Sequence, residues 1–144
     1  MQQFQIQVLE FRDFEQSYYD SLPQDKALMH LRLDMGKYYT VYQGADKVGI
    51  VGYIERKNNH YFQVYIAEKY RGYGILTKMA TFIFQEVKNN FYATIDKNNI
   101  ISYKAHLKAG FYKPTSDEMA KLKLQAKLDE NQYILVYKQN SNQR

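Results

Sequence analysis

The chain of 144 residues contains no cysteine, no tryptophan, two prolines and seven glycines. Without cysteine there is no disulfide, no thiolate metal site and no cysteine-borne acyl intermediate. Its three histidines, His30, His60 and His106, are too scattered for a zinc cluster, so no metal is expected. No apolar run approaches the roughly 18 residues needed to span a bilayer. The start, Met1-Gln2-Gln3-Phe4-Gln5, lacks the basic and apolar pattern of a signal peptide. The resulting expectation is a cytoplasmic protein without membrane contact. No internal repeat or linker breaks the chain, which reads as a single domain over residues 1–144 with a frayed polar tail at 139–144. A domain of this length buries roughly two thirds of its unfolded surface without staples.

What is present is unevenly placed. Residues 1–36 carry Arg12, Lys26 and Arg32 against Glu10, Asp13, Glu15, Asp20, Asp25 and Asp34, a balance of −3. The total is +5, so the remainder is +8. An anionic cofactor suits the basic part and a cationic amine the acidic part, although segregation of this size also arises by chance in small domains.

Periodicity gives a coarse order of elements. A strand is expected over 3–11, then one or two short helices within 14–35, interrupted at Leu22-Pro23. Strands follow at 38–42 and 48–55, joined by the turn Gly44-Ala45-Asp46-Lys47, and at 60–66 after Lys57-Asn58-Asn59. A helix, a strand at 91–96 and a second helix come next. The last expected elements are strands at 111–113 and 133–137 around a charged helical segment at 116–128. Such an order specifies a mixed α/β (α+β) fold, with helices wedged between strands of a mostly antiparallel sheet.

The stretch 60–111 carries the chemistry. Val64 and Ile66 belong to an apolar extended segment that runs through Arg71-Gly72-Tyr73-Gly74 into Ile75, Leu76, Met79, Ala80, Ile83 and Val87 at helical spacing. Two glycines allow a tight turn and close approach of a ligand to the backbone. A helix start exposes N–H groups and partial positive charge, so a glycine turn that opens one can cradle phosphate. Alone, Arg-Gly-x-Gly is equally an ordinary solvent-facing turn. In the second helix, Asn99, Ser102 and His106 share roughly 60° of arc while Lys104 and Lys108 point away. An Asn at that place can simply cap the helix, but the lysines already supply a solvated face.

In order and spacing these residues resemble the GNAT family of N-acetyltransferases, whose phosphate loop reads Arg/Gln-x-x-Gly-x-Gly/Ala and whose later helix reads Asn-x-x-Ala/Ser and ends in Gly-Phe. Arg71 and Gly74 match the loop, and Asn99, Ser102, Gly110 and Phe111 match the helix. The resemblance covers residues 37–114 well. Leu76 stands where the loop's last Gly or Ala would be, and His106 where many members have a Tyr. The resemblance implies a twisted sheet of about six or seven strands with one splayed pair, flanked by about four or five helices. It implies acetyl-CoA as acetyl donor and an amine acceptor, in a monomer or homodimer. The backbone near Val64 and Ile66 would bind the pantetheine arm. Arg71, Gly72, Tyr73, Gly74, Ile75, Leu76 and Thr77 would hold the pyrophosphate, and Asn99 and Ser102 would orient the arm. His106, with Tyr103 as substitute, would protonate the leaving thiolate. His60, or else Glu55, would accept the amine's proton, since an imidazole can do so near neutral pH. His60 reads equally as the exposed end of its turn, whereas His30, between Met29 and Leu31, reads as packing.

Fifteen Tyr and eight Phe in a basic chain also suggest RNA. Arg71-Gly72-Tyr73-Gly74 matches the first four positions of the RNA-recognition signature Lys/Arg-Gly-Phe/Tyr-Gly/Ala-Phe. Ile75 fills the fifth, and the pattern that follows is helical, so Tyr73 would not lie on a sheet face. No nucleic acid is expected as a partner.

Overall fold

The computed structural model describes residues 8–23, 31–125 and 131–139. Within them one sheet runs in the spatial order β1 (Glu10–Asp13), β2 (Gly36–Gln43), β3 (Asp46–Arg56), β4 (Asn59–Ile66), β5 (Phe91–Asp96) and β6 (Gln132–Tyr137). Four described helices accompany it: α1 (Gln16–Ser21), α2 (Ile75–Glu86), α3 (Ile100–Lys108) and α4 (Ser116–Gln125). A 3-10 turn at Glu68–Tyr70 leads from β4 toward α2.

The turns follow from their residues. Lys57 and Asn58 both take left-handed φ, 51° and 67°, the arrangement whose twist matches that of a tight hairpin between β3 and β4. After β4 the chain crosses through α2, so β5 returns parallel to β4, and every other neighbouring pair is antiparallel. A parallel return needs a crossover of this kind, because a short turn can only reverse direction.

Strand alternation then divides the core. Phe62 of β4, with Val64 and Ile66, packs on the face covered by α2, while Tyr61 and Tyr65 pack on the other face with Tyr18 of α1 and Tyr38. Helix α2 buries Ile75, Leu76, Met79, Ala80, Ile83 and Phe84, an apolar stripe at three- and four-residue spacing. Phe84 stacks on Tyr137 at 3.8 Å and meets Phe91 at 5.1 Å, tying α2 to β5 and β6.

The expected strand at 111–113 is a single bridge, Tyr112 to Val136. Phe111 is drawn into the core, and Pro114 has no N–H to extend a ladder and restricts the residue before it. The first strand reaches Asp13, two residues beyond the expectation. Residues 3–7 of that expected strand, residues 24–30 of the expected helical stretch 14–35 with His30 among them, and the end of the segment 116–128 lie outside the described residues.

Helix α4 starts in a reciprocal cap. The Glu118 N–H donates to Thr115 Oγ1 at 3.1 Å, and the Thr115 N–H donates to Glu118 Oε1 at 2.8 Å. The same carboxylate meets Lys138 Nζ at 2.7 Å and accepts from the Tyr112 hydroxyl at 3.1 Å, so α4 is tied to the end of β6. The Lys138 ammonium, followed by the Thr115 N–H, holds the Glu118 carboxyl down at about 2. A carboxyl depressed in the folded state stabilises fully above its unfolded value and loses that contribution as pH falls through the folded one. Glu118→Gln should therefore melt below the parent at neutral pH, with the gap closing between about pH 4.5 and 2. Melting curves across that range test it, and a constant gap would rule the ion pair out as its source.

Candidate active site

Strands β4 and β5 share two paired positions, His60 with Phe91 and Tyr61 with Tyr92. Beyond these, β4 stays paired with β3 as far as Ile66 and Gly49, and β5 stays paired with β6 as far as Asp96 and Gln132. The two parallel strands therefore part toward their C-terminal ends and leave a gap in the sheet. Open sheets bind ligands at the carboxyl ends of strands where neighbours diverge. The glycine loop follows the end of β4 through the 3-10 turn, and Asn99 follows the end of β5, so topology brings both segments to the mouth of one gap.

In the loop, Gly72 and Gly74 have φ of 88° and 79°, and a Cβ on either would meet nothing within 4 Å. Backbone conformation, rather than crowding, requires glycine here, and the space above the loop is open. Gly74 is the N-cap of α2, with no side-chain cap bond and no acidic residue in the first turn. The helix start thus keeps its N–H groups and partial positive charge facing the loop. Ile75 and Leu76 are buried, so their side chains serve the core and only their backbone borders the loop. The departure at Leu76 leaves the loop clear for that reason. Tyr73 and Thr77 are exposed. Arg71 Nε donates to the Ile66 carbonyl at 2.7 Å, and the guanidinium stands 5.7 Å from the Tyr65 ring, binding the loop back to the end of β4.

On the other side of the mouth, Asn99 Oδ1 accepts from the Ser102 N–H at 3.1 Å and caps α3. His106 Nδ1 lies 2.8 Å from the Ser102 carbonyl and 3.4 Å from its Oγ. A carbonyl only accepts, so Nδ1 carries the proton, and Nε2 is the acceptor nitrogen of the neutral ring. The ring is 4% exposed and lies edge-on to Phe62 and Phe111, 5.8 and 5.2 Å away. Phe62 is the first β4 residue past the last pair, which puts His106 at the apex of the gap on the α2 face. Tyr103, partly buried, packs toward Tyr133 at 4.8 Å.

Glu55 and His60 meet across the β3–β4 register, with Nε2 to Oε1 at 4.0 Å. The His60 ring lies between Tyr53 and Phe91 at 5.7 and 5.6 Å, at the paired end of the strands. Two groups thus form, Glu55 with His60 below the apex and Ser102 with His106 beside it. Val64 and Ile66 line the β4 side of the gap. Sequence reading did not single out Phe62, Tyr61 or Tyr92, since alternation assigns a face but not the residue across it. Tyr73 sits in the loop between two left-handed glycines rather than on a strand, so the stacking sheet of an RNA-recognition motif does not form around it. Among the described residues no group of three His, Asp or Glu could hold a metal ion, and no helix is long and apolar enough to cross a membrane.

A model of the family described as "Acetyltransferase (GNAT) family" matches residues 3–111. Among solved structures, the chain is similar to the N-acetyltransferase PseH of Campylobacter jejuni in complex with acetyl coenzyme A, at 15% identity and TM-score 0.63, covering 92% of this chain and 99% of that one. It is also similar to a GNAT family acetyltransferase from Elizabethkingia anophelis with acetyl-CoA bound, at 11% identity and TM-score 0.63, covering 91% and 97%. A domain from Methanocaldococcus jannaschii aligns at 16% identity and TM-score 0.68, over 91% and 98%. Among curated proteins the sequence finds no match.

Both ends of the mouth should register as stability without any ligand. Gly74→Val forces a branched side chain to φ 79° and should cost about 1–2 kcal/mol, and Asn99→Ala removes a cap worth about 1 kcal/mol. Urea unfolding measures both. An unchanged midpoint for Gly74→Val would mean that the loop does not hold its left-handed turn in solution.

Proposed function

Because the chain belongs to the GNAT family of acetyltransferases, we propose that it moves an acetyl group from acetyl-CoA to a primary amine by direct attack. The observation that carries this reading is the gap between β4 and β5, with a glycine loop on one side of its mouth and the Asn99 cap on the other. Neighbours of the same fold are described with acetyl-CoA bound. A narrowing gap fits a linear arm, and an open glycine turn at a helix start fits the anionic end of the same molecule. In this proposal the loop from Arg71 to Thr77 holds the pyrophosphate through N–H groups, with the Arg71 guanidinium as a fixed charge beside them. The backbone of Val64 and Ile66 carries the arm, and Asn99 and Ser102 border it from α3.

The chemistry then needs two proton movements. An alkylamine with pKa about 10 must lose a proton before its nitrogen attacks the thioester carbonyl. As the carbon–sulfur bond breaks, the thiolate must gain a proton or be stabilised. We assign the first movement to His60, through water and with Glu55 beside it, and the second to His106. With Nδ1 committed to the Ser102 carbonyl, exchange with the sulfur runs through Nε2, and the imidazolium form makes the donation. Tyr103, one turn earlier on α3, is the substitute. Holding both reactants in one gap supplies much of the rate by itself. A cytoplasmic single-domain enzyme, monomeric or homodimeric, is part of the same proposal.

Acetyl-CoA at 100 times its Kd should stabilise the protein by about 2.7 kcal/mol, seen as a rise in Tm. With an identified amine, His106→Ala should lower kcat about 10²-fold with acetyl-CoA affinity kept, and His106→Tyr should retain more activity than His106→Ala. Calorimetry together with thiol release separates the outcomes. Acetyl-CoA binding without transfer to any amine would mark a non-catalytic binding domain, and no binding at all would end the reading.

A further inference from the structure

Resting on the acetyltransferase reading, the closed end of the gap restricts the acyl group that the donor can carry. A linear arm that enters at the mouth points its far end at the apex, where β4 and β5 become paired. Straight ahead, backbone pairing shuts the way, with one ring pair on each face of the sheet. His60 and Phe91 stand 5.6 Å apart on the α2 face, and Tyr61 and Tyr92 stand 5.7 Å apart on the other.

Sideways, both faces are bounded as well. On the α2 face the first unpaired residue of β4 is Phe62, 5% exposed, and at the matching level β5 carries Ala93, 1% exposed. With only a methyl group opposite, Phe62 is the larger wall at this level. Its ring lies 5.7 Å from Phe111, 5.8 Å from His106 and 6.1 Å from Phe84, so the core holds it in place. On the other face Tyr61 packs against the cluster of Tyr18, Leu31 and Tyr38. The next residue there, Gln63, accepts through Oε1 from the Tyr38 hydroxyl and from the Arg32 N–H, the latter at 3.3 Å. An interior packed in this way takes an extra methylene only by pushing side chains out of place. An acyl chain longer than acetyl must therefore displace Phe62 or draw the thioester back toward the mouth.

We propose that Phe62 is the residue that sets acyl length, and that the end of the gap takes the two carbons of an acetyl group and turns away longer acyl-CoA donors. Phe62 acts here as a specificity-determining residue for the donor, whatever amine accepts the acetyl group.

The test therefore needs no acceptor. Calorimetry on the full chain gives Kd for acetyl-CoA, propionyl-CoA and butyryl-CoA, in the parent and in Phe62→Leu and Phe62→Ala. The parent should bind butyryl-CoA about 10-fold or more weakly than acetyl-CoA, with propionyl-CoA between them. Phe62→Leu should narrow that ratio by about 3-fold or more, and Phe62→Ala further. Because the ratio is taken within one protein, a smaller folded fraction lowers the stoichiometry and leaves the ratio alone. Equal affinity of the parent for acetyl-CoA and butyryl-CoA overturns the proposal without any variant, so a variant that fails to fold does not shelter it. An unchanged ratio in folded Phe62→Leu would also overturn it, while the acetyltransferase reading stands. Failure of the parent to bind acetyl-CoA would remove that reading and this proposal together.

Discussion

Everything about the site depends on β4 and β5 sharing only two paired positions. Each strand is paired along its length with its outer neighbour, β4 with β3 and β5 with β6. The sheet is therefore two antiparallel units joined at one end, and its backbone hydrogen bonds alone would let the units separate. Side chains hold the junction. Phe84 of α2 touches Phe62 of β4, Phe91 of β5 and Tyr137 of β6, so one helix spans both units. Burying an aromatic ring of this kind is worth several kcal/mol, which outweighs the loss of a few ladder bonds.

The same aromatic cluster positions His106. His106 is placed by Phe62 and Phe111 around its ring and by the Ser102 carbonyl at Nδ1. Packing of the imidazole between two rings and a carbonyl therefore settles which of its nitrogens is held against Ser102.

Several residues of the candidate site have a folding role of their own. Asn99 caps α3, Arg71 ties the loop to the Ile66 carbonyl, and Gly74 is required by its φ of 79°. The loop is thus shaped by the fold itself. Affinity changes in variants of these residues carry a folding contribution, which the unliganded stabilities isolate.

Much of this was legible in the residues. Periodicity located β5 to the residue, and the recurrence of Ile75, Leu76, Met79, Ala80 and Ile83 announced both the helix and its buried face, because burial repeats at the period of the element; Val87, the last of that pattern, is the C-cap, and the buried Phe84 was not among them. Lys57-Asn58 and the glycines marked turns because left-handed φ is a local demand. The candidate site was legible as two motifs at one end of two strands, since a helix start and an N-cap are also local. Tertiary structure alone decided the rest. The strand expected at 111–113 was lost to the core and to Pro114. His106 shared a helical stripe with Asn99 and Ser102 in the sequence, but its burial, and the proton on Nδ1, came from Phe62, Phe111 and the Ser102 carbonyl. Tyr61 and Tyr92 are 31 positions apart, and nothing local to either says that they face each other. Local conformation is written in neighbours along the chain, whereas the place where two strands part, and which side chains fill one face of the gap, depends on contacts between segments that meet only after folding.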